Sequence, residues 1–306
     1  MRAVRFDEYG DVDVLDVRQV EDPVGGPGRV LVAVKAAGIN PGEISIREGW
    51  LHERWPTSFP SGEGTDLAGV VQAVGEGVTD FAAGDEVLGW TEERGSHAEL
   101  VAVPAGQLTP KPPSLPWEVA GSLFVAAMAA YASVDAVNPQ PGETVVVSAA
   151  AGGVGSVAVQ LARRTGATII GLASERNHAW LEAHDIIPVT YGEGQANRVR
   201  EAAPGPVNAL IDTFGAGYVD MAINDLGVPP DRINTIIDYQ AAQRVGARTQ
   251  GTHALASNDV LAELAELVAD GRLEIPIART YPLDDVREAF RQLGERRTHG
   301  KIVLLP

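Results

Sequence analysis

The sequence predicts a two-domain α/β protein that combines a β-rich domain with a doubly wound parallel sheet. About the first hundred residues contain short Val- and Gly-rich runs bounded by Gly, Pro or Asp, which is typical of a β-rich domain. From Pro116 onward, apolar strand-like runs alternate with Ala- and Leu-rich helical segments, which indicates a parallel sheet covered on both faces. The 306 residues suffice for two domains of ordinary size.

The predicted elements follow the chain in that order. Three short β runs in the first part lie at residues 30–39, 69–78 and 85–90. In the second part we predict helices at 117–137 and 155–167 and strands at 141–150, 168–174, 208–214 and 233–238. Helices at 259–273 and 284–297 and a strand at 301–306 end the chain. Residues 1–117 and 254–306 are thus assigned to the β-rich domain, and residues 118–253 to the parallel-sheet domain.

Composition and charge exclude several classes of function. The chain has 41 acidic and 24 basic residues, a formal charge of −17 and no compensating basic block, so nucleic acid is not an expected partner. It has no cysteine, which excludes disulfides, thiolate nucleophiles and cysteine-ligated metal centres. We find no apolar run long enough to span a membrane and no apolar signal core in MRAVRFDEYG, and therefore expect a cytoplasmic protein.

The stretch SAAAGGVGS at residues 148–156 allows two interpretations, a small-residue turn or a cradle for the phosphates of a dinucleotide. The register Ala150-x-Gly152-x-x-Gly155 matches the dinucleotide fingerprint with Ala in the first place. There the small residues permit a tight turn, close approach of the pyrophosphate, and packing of helix on strand. The order of strand, turn, amphipathic helix and second strand favours the cradle.

Five backbone positions of this turn are therefore predicted to contact the cofactor. The N-terminus of the following helix offers unpaired N–H groups and the positive end of its dipole to the phosphates. The predicted contacts are Ala150, Gly152, Gly153, Val154 and Gly155.

The end of the second strand indicates which nicotinamide cofactor is bound. NAD-binding proteins place an Asp or Glu there for the ribose 2′-OH, whereas NADP-binding proteins place small polar and basic groups. Here the strand ends in Ser174, and Arg176 and Asn177 follow. These side chains suit a 2′-phosphate, although Glu175 would repel it if it pointed inward. The sequence predicts NADPH rather than NADH.

Several longer motifs carry a family resemblance over nearly the whole chain. They are AAGINPGE at 36–43, GEGTDLAGVVQAVGEGVTDFAAGDEVLG at 62–89, GSHAEL at 95–100, AAY at 129–131 and HGKIVLL at 299–305. In these motifs and their order, the chain resembles the zinc-free medium-chain dehydrogenase/reductases of the quinone oxidoreductase type. The resemblance implies a GroES-like catalytic domain, a Rossmann domain and a homodimer.

Comparison with zinc alcohol dehydrogenases of the same architecture implies chemistry without a metal. By this resemblance, their catalytic cysteine falls at Asn40, their histidine at Thr65 and their second cysteine near Val125. None of the three residues is an ordinary zinc ligand. The resemblance therefore implies that NADPH delivers hydride to a quinone, or to the β-carbon of an activated alkene such as an enone or enoyl thioester.

The resemblance also suggests catalytic residues. Asn40 stands where relatives often have a polar residue beside the nicotinamide, and it is expected to donate a hydrogen bond or orient the reactants. The alternative is that Asn40 only satisfies the turn before Pro41. Tyr131 of the AAY motif is the second catalytic candidate, and Lys301 of the terminal motif is an expected cofactor contact.

Because the sequence departs from the family pattern, it does not decide which residues line the substrate pocket. Trp50, Leu51 and Trp90 are candidates for a pocket wall around a flat acceptor, or for ordinary packing. His97 replaces a usual tyrosine and is either a proton donor or a histidine at the surface or core edge. A family tyrosine near Leu51 and a threonine at Ala129 are missing. These losses keep a second hypothesis open, an NADPH-binding redox sensor or structural protein with little turnover.

Overall fold

A computed structural model describes all 306 residues and divides them into two compact units. Unit 1 contains Met1–Val125, Ser257–Arg272 and Pro276–Pro306. Unit 2 contains Ala126–Ala256 and the short segment Leu273–Ile275. None of the helices combines the length and apolar character that crossing a bilayer requires.

Fifteen strands, numbered in chain order, form three sheets. They are β1 (Arg2–Phe6), β2 (Asp16–Gln19), β3 (Arg29–Gly38), β4 (Ser61–Gly62), β5 (Asp66–Val74), β6 (Glu86–Trp90), β7 (Leu100–Pro104), β8 (Leu108–Pro110), β9 (Thr144–Val147), β10 (Thr168–Ala173), β11 (Ile187–Thr190), β12 (Val207–Asp212), β13 (Ile233–Thr235), β14 (Ile277–Pro282) and β15 (Lys301–Leu305).

Ten α-helices, numbered in the same way, accompany the strands. They are α1 (Pro41–Arg47), α2 (Trp117–Ala120), α3 (Leu123–Val137), α4 (Gly153–Arg163), α5 (His178–Ala183), α6 (Gln195–Ala202), α7 (Tyr218–Asn224), α8 (Tyr239–Val245), α9 (Asn258–Ala269) and α10 (Val286–Gly294).

Unit 1 is built on a seven-stranded sheet. Its strand order is β14-β15-β3-β5-β6-β8, with β7 pairing on β3. The Val residues of β3 show why this segment is a strand, because Val30, Val32 and Val34 are buried while the residues between them are partly exposed. Their side chains pack in one apolar core with Leu67 and Val71 of the antiparallel neighbour β5. The predicted β-rich domain is confirmed.

The single helix predicted over residues 117–137 is wrong, because the chain breaks into α2 and α3 at Gly121. The carbonyl of Gly121 accepts a hydrogen bond of 2.6 Å from the N–H of Gly38 in β3. A Cβ atom at Gly121 would lie 2.3 Å from the carbonyl oxygen of Ala36, so only glycine allows this approach. The contact with β3 ends the first helix.

Unit 2 is a doubly wound sheet of five parallel strands, as predicted. The strand order is β11-β10-β9-β12-β13. All four residues of β9 are buried, which explains the uninterrupted apolar run VVV in its sequence. The order reverses between β9 and β12, so this unit has its topological switch point there. In sheets of this kind, ligands bind outside the carboxyl ends of the strands at that point.

Candidate active site

The turn between β9 and α4 has the geometry of a dinucleotide cradle. A Cβ atom at Gly155 would lie 2.1 Å from the carbonyl oxygen of Ala149, so the packing of α4 against the turn requires glycine. At Gly152 the nearest atom to an added Cβ is the same oxygen, at 3.2 Å. The packing of the chain thus constrains Gly152 less than Gly155.

The same turn presents N–H groups at the start of α4. The first backbone hydrogen bond at this end of the helix runs from Ser156 N to the carbonyl of Gly152, at 2.9 Å. The N–H groups of Gly153, Val154 and Gly155 precede it and are available to an anion. At the start of the turn, Ala150 N donates to Leu172 O at 3.0 Å, and this hydrogen bond connects the turn to β10. The structure therefore brings the five predicted cradle residues together in one turn.

Replacing Gly155 with Ala should lower the free energy of unfolding by about 1–3 kcal/mol and weaken cofactor binding, because the methyl group collides with the Ala149 carbonyl. Urea denaturation and a cofactor titration measure the two effects. Gly205→Ala is the matched control in unit 2, since a Cβ there meets no atom within 4 Å. Equal behaviour of the two variants would contradict the steric role of Gly155.

The candidate residues for the 2′-phosphate follow β10 closely. Asn177 Nδ2 donates to Ser174 Oγ at 3.3 Å, and Asn177 N donates to Ser174 O at 2.9 Å. Arg176 and Glu175 are both exposed. The structure thus brings Ser174 and Asn177 together, with a basic and an acidic side chain at the surface beside them.

Asn40 lies in a buried polar cluster of unit 1. Its backbone N–H donates to Glu43 Oε2 at 2.8 Å, which closes the first turn of α1. Its side-chain Nδ2 donates to Glu43 Oε1 at 3.2 Å and to Asp66 Oδ2 at 3.3 Å. Its Oδ1 accepts a hydrogen bond from Lys301 Nζ. Both amide hydrogens of Asn40 are therefore already bonded within the protein.

Lys301 is only 4% exposed and belongs to the same cluster. Besides Asn40, its Nζ donates to the carbonyl of Ile39 and to Asp66 Oδ2, both at 3.2 Å. The other oxygen of Asp66 accepts the N–H of Val125 at 2.8 Å. The sequence-based role of Lys301 as a cofactor contact stays a prediction; in the structure its ammonium group holds Asn40 and Asp66 in place.

A second buried ion pair adjoins this cluster. Arg47 NH1 lies 3.1 Å from Glu63 Oε2, and both side chains are 1% exposed. The Arg47 guanidinium also stacks over the ring of Phe290 at 4.7 Å. Together the buried groups contain the carboxyls of Glu43, Glu63 and Asp66 but only two basic side chains, Arg47 and Lys301.

Burial and the excess of carboxyls raise the pKa values of two glutamates in this cluster. Burial raises the pKa of Glu43 above its ordinary value, and the charges of Glu63 and Asp66 add to the effect. Burial likewise raises the pKa of Glu63, against the opposing attraction of Arg47. The cluster therefore retains a proton at a pH at which exposed glutamates have lost theirs.

His97 is fully buried, so its predicted position at the surface or core edge is wrong. Its Nε2 lies 3.3 Å from the carbonyl oxygen of Gly38. Burial lowers the pKa of His97 to about 4, and the positive charges of Lys301 and Arg47 act in the same direction. His97 is thus a neutral core residue at physiological pH.

The remaining site candidates differ in burial. Trp90 is 5% exposed and stacks on Phe124 with ring centroids 4.2 Å apart. Trp50 is 78% exposed, and its indole N–H donates to Glu48 at 2.9 Å. Leu51 and Tyr131 are half-buried. Trp90 therefore contributes to packing, and the pocket and catalytic roles of these residues stay predictions.

Sequence reasoning missed α1 and the two acidic residues beside Asn40, Glu43 and Asp66. Two signals were present in the sequence. Asn40 followed by Pro41 and Glu43 has the pattern of a helix N-cap with a glutamate at the third position. Asp66 directly precedes a buried apolar strand segment, where a charged residue needs a partner.

Comparisons with known proteins agree with this architecture. A family model described as zinc-binding dehydrogenase matches residues 125–304, and one described as alcohol dehydrogenase GroES-like domain matches residues 26–113. The quinone oxidoreductase of Pseudomonas aeruginosa is 30% identical over 328 residues, which cover 100% of this chain and 99% of that protein. The human synaptic vesicle membrane protein VAT-1 homolog is 29% identical, with 100% and 86% covered.

Among solved structures, the quinone oxidoreductase from Coxiella burnetii superposes with a TM-score of 0.91. It is 28% identical, and the match covers 100% of this chain and 99% of that one. The chain belongs to the medium-chain dehydrogenase/reductase family, and quinone oxidoreductases are among its relatives.

Although the family model is described as zinc-binding, the residues of this chain do not fit a catalytic zinc ion. Zinc sites use cysteine, histidine or carboxylate ligands, whereas the resemblance to zinc alcohol dehydrogenases implies Asn40, Thr65 and a residue near Val125 at the ligand positions. The amide of Asn40 is already bound by the ammonium group of Lys301. No group of three or more His, Cys, Asp and Glu side chains has an arrangement suited to a metal ion.

Proposed function

We propose that this protein is an NADPH-dependent oxidoreductase that transfers hydride, without zinc, to a quinone or to an activated alkene such as an enone. The observation that supports this most strongly is the turn at Ala150–Gly155. Its unpaired N–H groups lie at the carboxyl end of β9 in a doubly wound sheet, where such sheets bind dinucleotides.

The bound cofactor would supply the hydride. In unit 2, the N–H groups of Gly153 and Val154 would bind its pyrophosphate, and Ser174, Arg176 and Asn177 would bind the 2′-phosphate. In unit 1, Asn40 is held by three polar side chains and is proposed to orient the acceptor. Lys301 would act indirectly, because its ammonium group is bonded to Ile39, Asn40 and Asp66 and holds the Asn40 amide in that position.

Loss of reduced-nicotinamide absorbance tests the function. Purified protein with NADPH or NADH is mixed with matched panels of quinones and α,β-unsaturated ketones. We expect oxidation of NADPH by at least one panel, with a kcat/KM well above that for NADH. Tight binding of NADPH with no turnover in either panel would contradict the reductase proposal and support the redox-sensor hypothesis.

Arg176→Ala should raise the KM for NADPH about tenfold or more and leave the KM for NADH nearly unchanged, because only NADPH has the phosphate that the guanidinium would bind. Steady-state kinetics with both cofactors measure this. Arg164→Ala, which removes another exposed arginine of unit 2, is the matched control. An equal loss with both cofactors would show that Arg176 does not select the 2′-phosphate.

We also expect a homodimer, as the resemblance to quinone oxidoreductases implied. Size-exclusion chromatography with light scattering measures the mass directly. A mass near that of one chain, 32.2 kDa, would contradict this expectation.

A further inference from the structure

The switch point of unit 2 contains a buried carboxylate that the motifs do not predict. Asp212, the last residue of β12, is 0% exposed. Its Oδ1 accepts hydrogen bonds from Ser148 Oγ at 2.7 Å and from the N–H groups of Phe214 and Gly215, each at 3.0 Å. Its Oδ2 accepts from Thr235 Oγ1 at 2.7 Å. A buried carboxylate thus has four donors, which offset much of the cost of its burial.

These bonds join the ends of three parallel strands. Ser148 directly follows β9, Asp212 ends β12 and Thr235 ends β13. Two further hydrogen bonds connect Ser148 to Thr213, the residue after β12. The Oγ of Ser148 accepts the N–H of Thr213 at 2.9 Å, and the carbonyl of Ser148 accepts the Thr213 hydroxyl at 2.8 Å. The strands on both sides of the switch point are therefore connected through one carboxylate.

The loops beyond these strands depend on the same group. Two N–H donors to Asp212 belong to the turn that leads into α7, and Thr235 Oγ1 accepts the N–H of Asp238 at 3.0 Å at the start of α8. Ser148 lies immediately before the phosphate-binding turn. A shift of the carboxylate would displace the loops around the crevice in which the sheet binds its ligand.

We propose that Asp212, acting through Ser148 and Thr235, is a positioning residue for the nicotinamide dinucleotide in unit 2. This inference rests on the proposed function, since it assumes that the dinucleotide binds at the switch point. Asp212 does not need to touch the cofactor; it fixes the relative positions of the loops that do.

Thr235→Val tests the proposal, because valine keeps the shape of the side chain and removes only the hydroxyl. We expect the Kd for NADPH, measured by fluorescence of the reduced nicotinamide, to rise about tenfold. Thr235→Ser restores the hydroxyl and should return the Kd to within about twofold of the wild-type value. Thr144→Val removes a second buried threonine at the opposite end of β9 and should leave the Kd unchanged.

The outcomes separate this inference from the proposed function. If wild-type protein binds NADPH and Thr235→Val binds it equally well, Asp212 and Thr235 serve the fold alone and the inference is wrong. The inference is also wrong if Thr144→Val weakens binding as much as Thr235→Val, or if Thr235→Ser fails to restore it. If wild-type protein binds neither NADPH nor NADH, the proposed function itself is contradicted, and the inference with it.

Discussion

Replacing Arg47 with Met should lower the free energy of unfolding by about 3–5 kcal/mol. Methionine retains most of the apolar packing against Phe290, but it removes the only ion-pair partner of Glu63, a carboxyl that is 1% exposed. Breaking a buried ion pair on one side is costly because the other charge stays buried and uncompensated. Urea denaturation at pH 7.5 measures the change.

A second substitution separates the charge effect from lost packing. Glu63→Gln in the Arg47→Met background removes the uncompensated carboxyl and should recover more than half of the loss. Arg244→Met is the control, because its partner Asp220 is about half exposed and such surface pairs contribute at most about 1 kcal/mol. A loss for Arg47→Met no larger than that for Arg244→Met would show that the buried pair does not stabilise the fold in this way.

In the Glu63→Gln variant, the free energy of unfolding should fall less with rising pH than in the wild-type protein. The pKa values of Glu43 and Glu63 are raised above their ordinary value of 4.5, so the folded protein binds more protons than the unfolded chain above that pH. Stability is then lost as pH rises from that value through the folded pKa values, by up to about 1.4 kcal/mol per pH unit for each proton. Without the Glu63 carboxyl, the cluster has equal numbers of carboxyls and basic side chains. The loss of stability with rising pH should therefore be smaller.

Free energies of unfolding at pH 5.5, 7.0 and 8.5 test this expectation. The decline between pH 5.5 and 8.5 should be smaller for Glu63→Gln than for the wild-type protein. Glu53→Gln removes the same charge from an exposed position and should leave the decline unchanged. Parallel pH profiles for wild-type protein and Glu63→Gln would show that the buried cluster does not hold the extra proton.

Local patterns were sufficient to predict the parallel sheet and the glycine-containing turn that follows β9. The apolar run of β9, the spacing of Ala150, Gly152 and Gly155, and the amphipathic helix α4 lie within one continuous segment. Their consequences are set by sterics over a few residues, such as the 2.1 Å approach that a Cβ at Gly155 would make to Ala149. Such features can be recognised without knowledge of the tertiary structure.

The buried networks could not be predicted because their members are far apart in the chain. Lys301 and Asn40 are 261 residues apart, and Ser148 and Asp212 are 64 residues apart. Nothing in the local sequence of Lys301 indicates that its ammonium group is buried beside Asp66. The family resemblance suggested a role for Lys301 and Asn40 separately, whereas only the fold shows that they are bonded to each other.

The proposed transfer of hydride from NADPH to the acceptor can be followed with an isotope label. Wild-type protein is incubated with NADPH that carries deuterium in place of both hydrogens at C4 of the nicotinamide, and with an enone that the turnover panels identify. We predict that mass spectrometry will find one deuterium atom bonded to carbon in the reduced product. Cofactor that stays bound and unoxidised, or a reduced product without the label, would contradict hydride transfer by this protein.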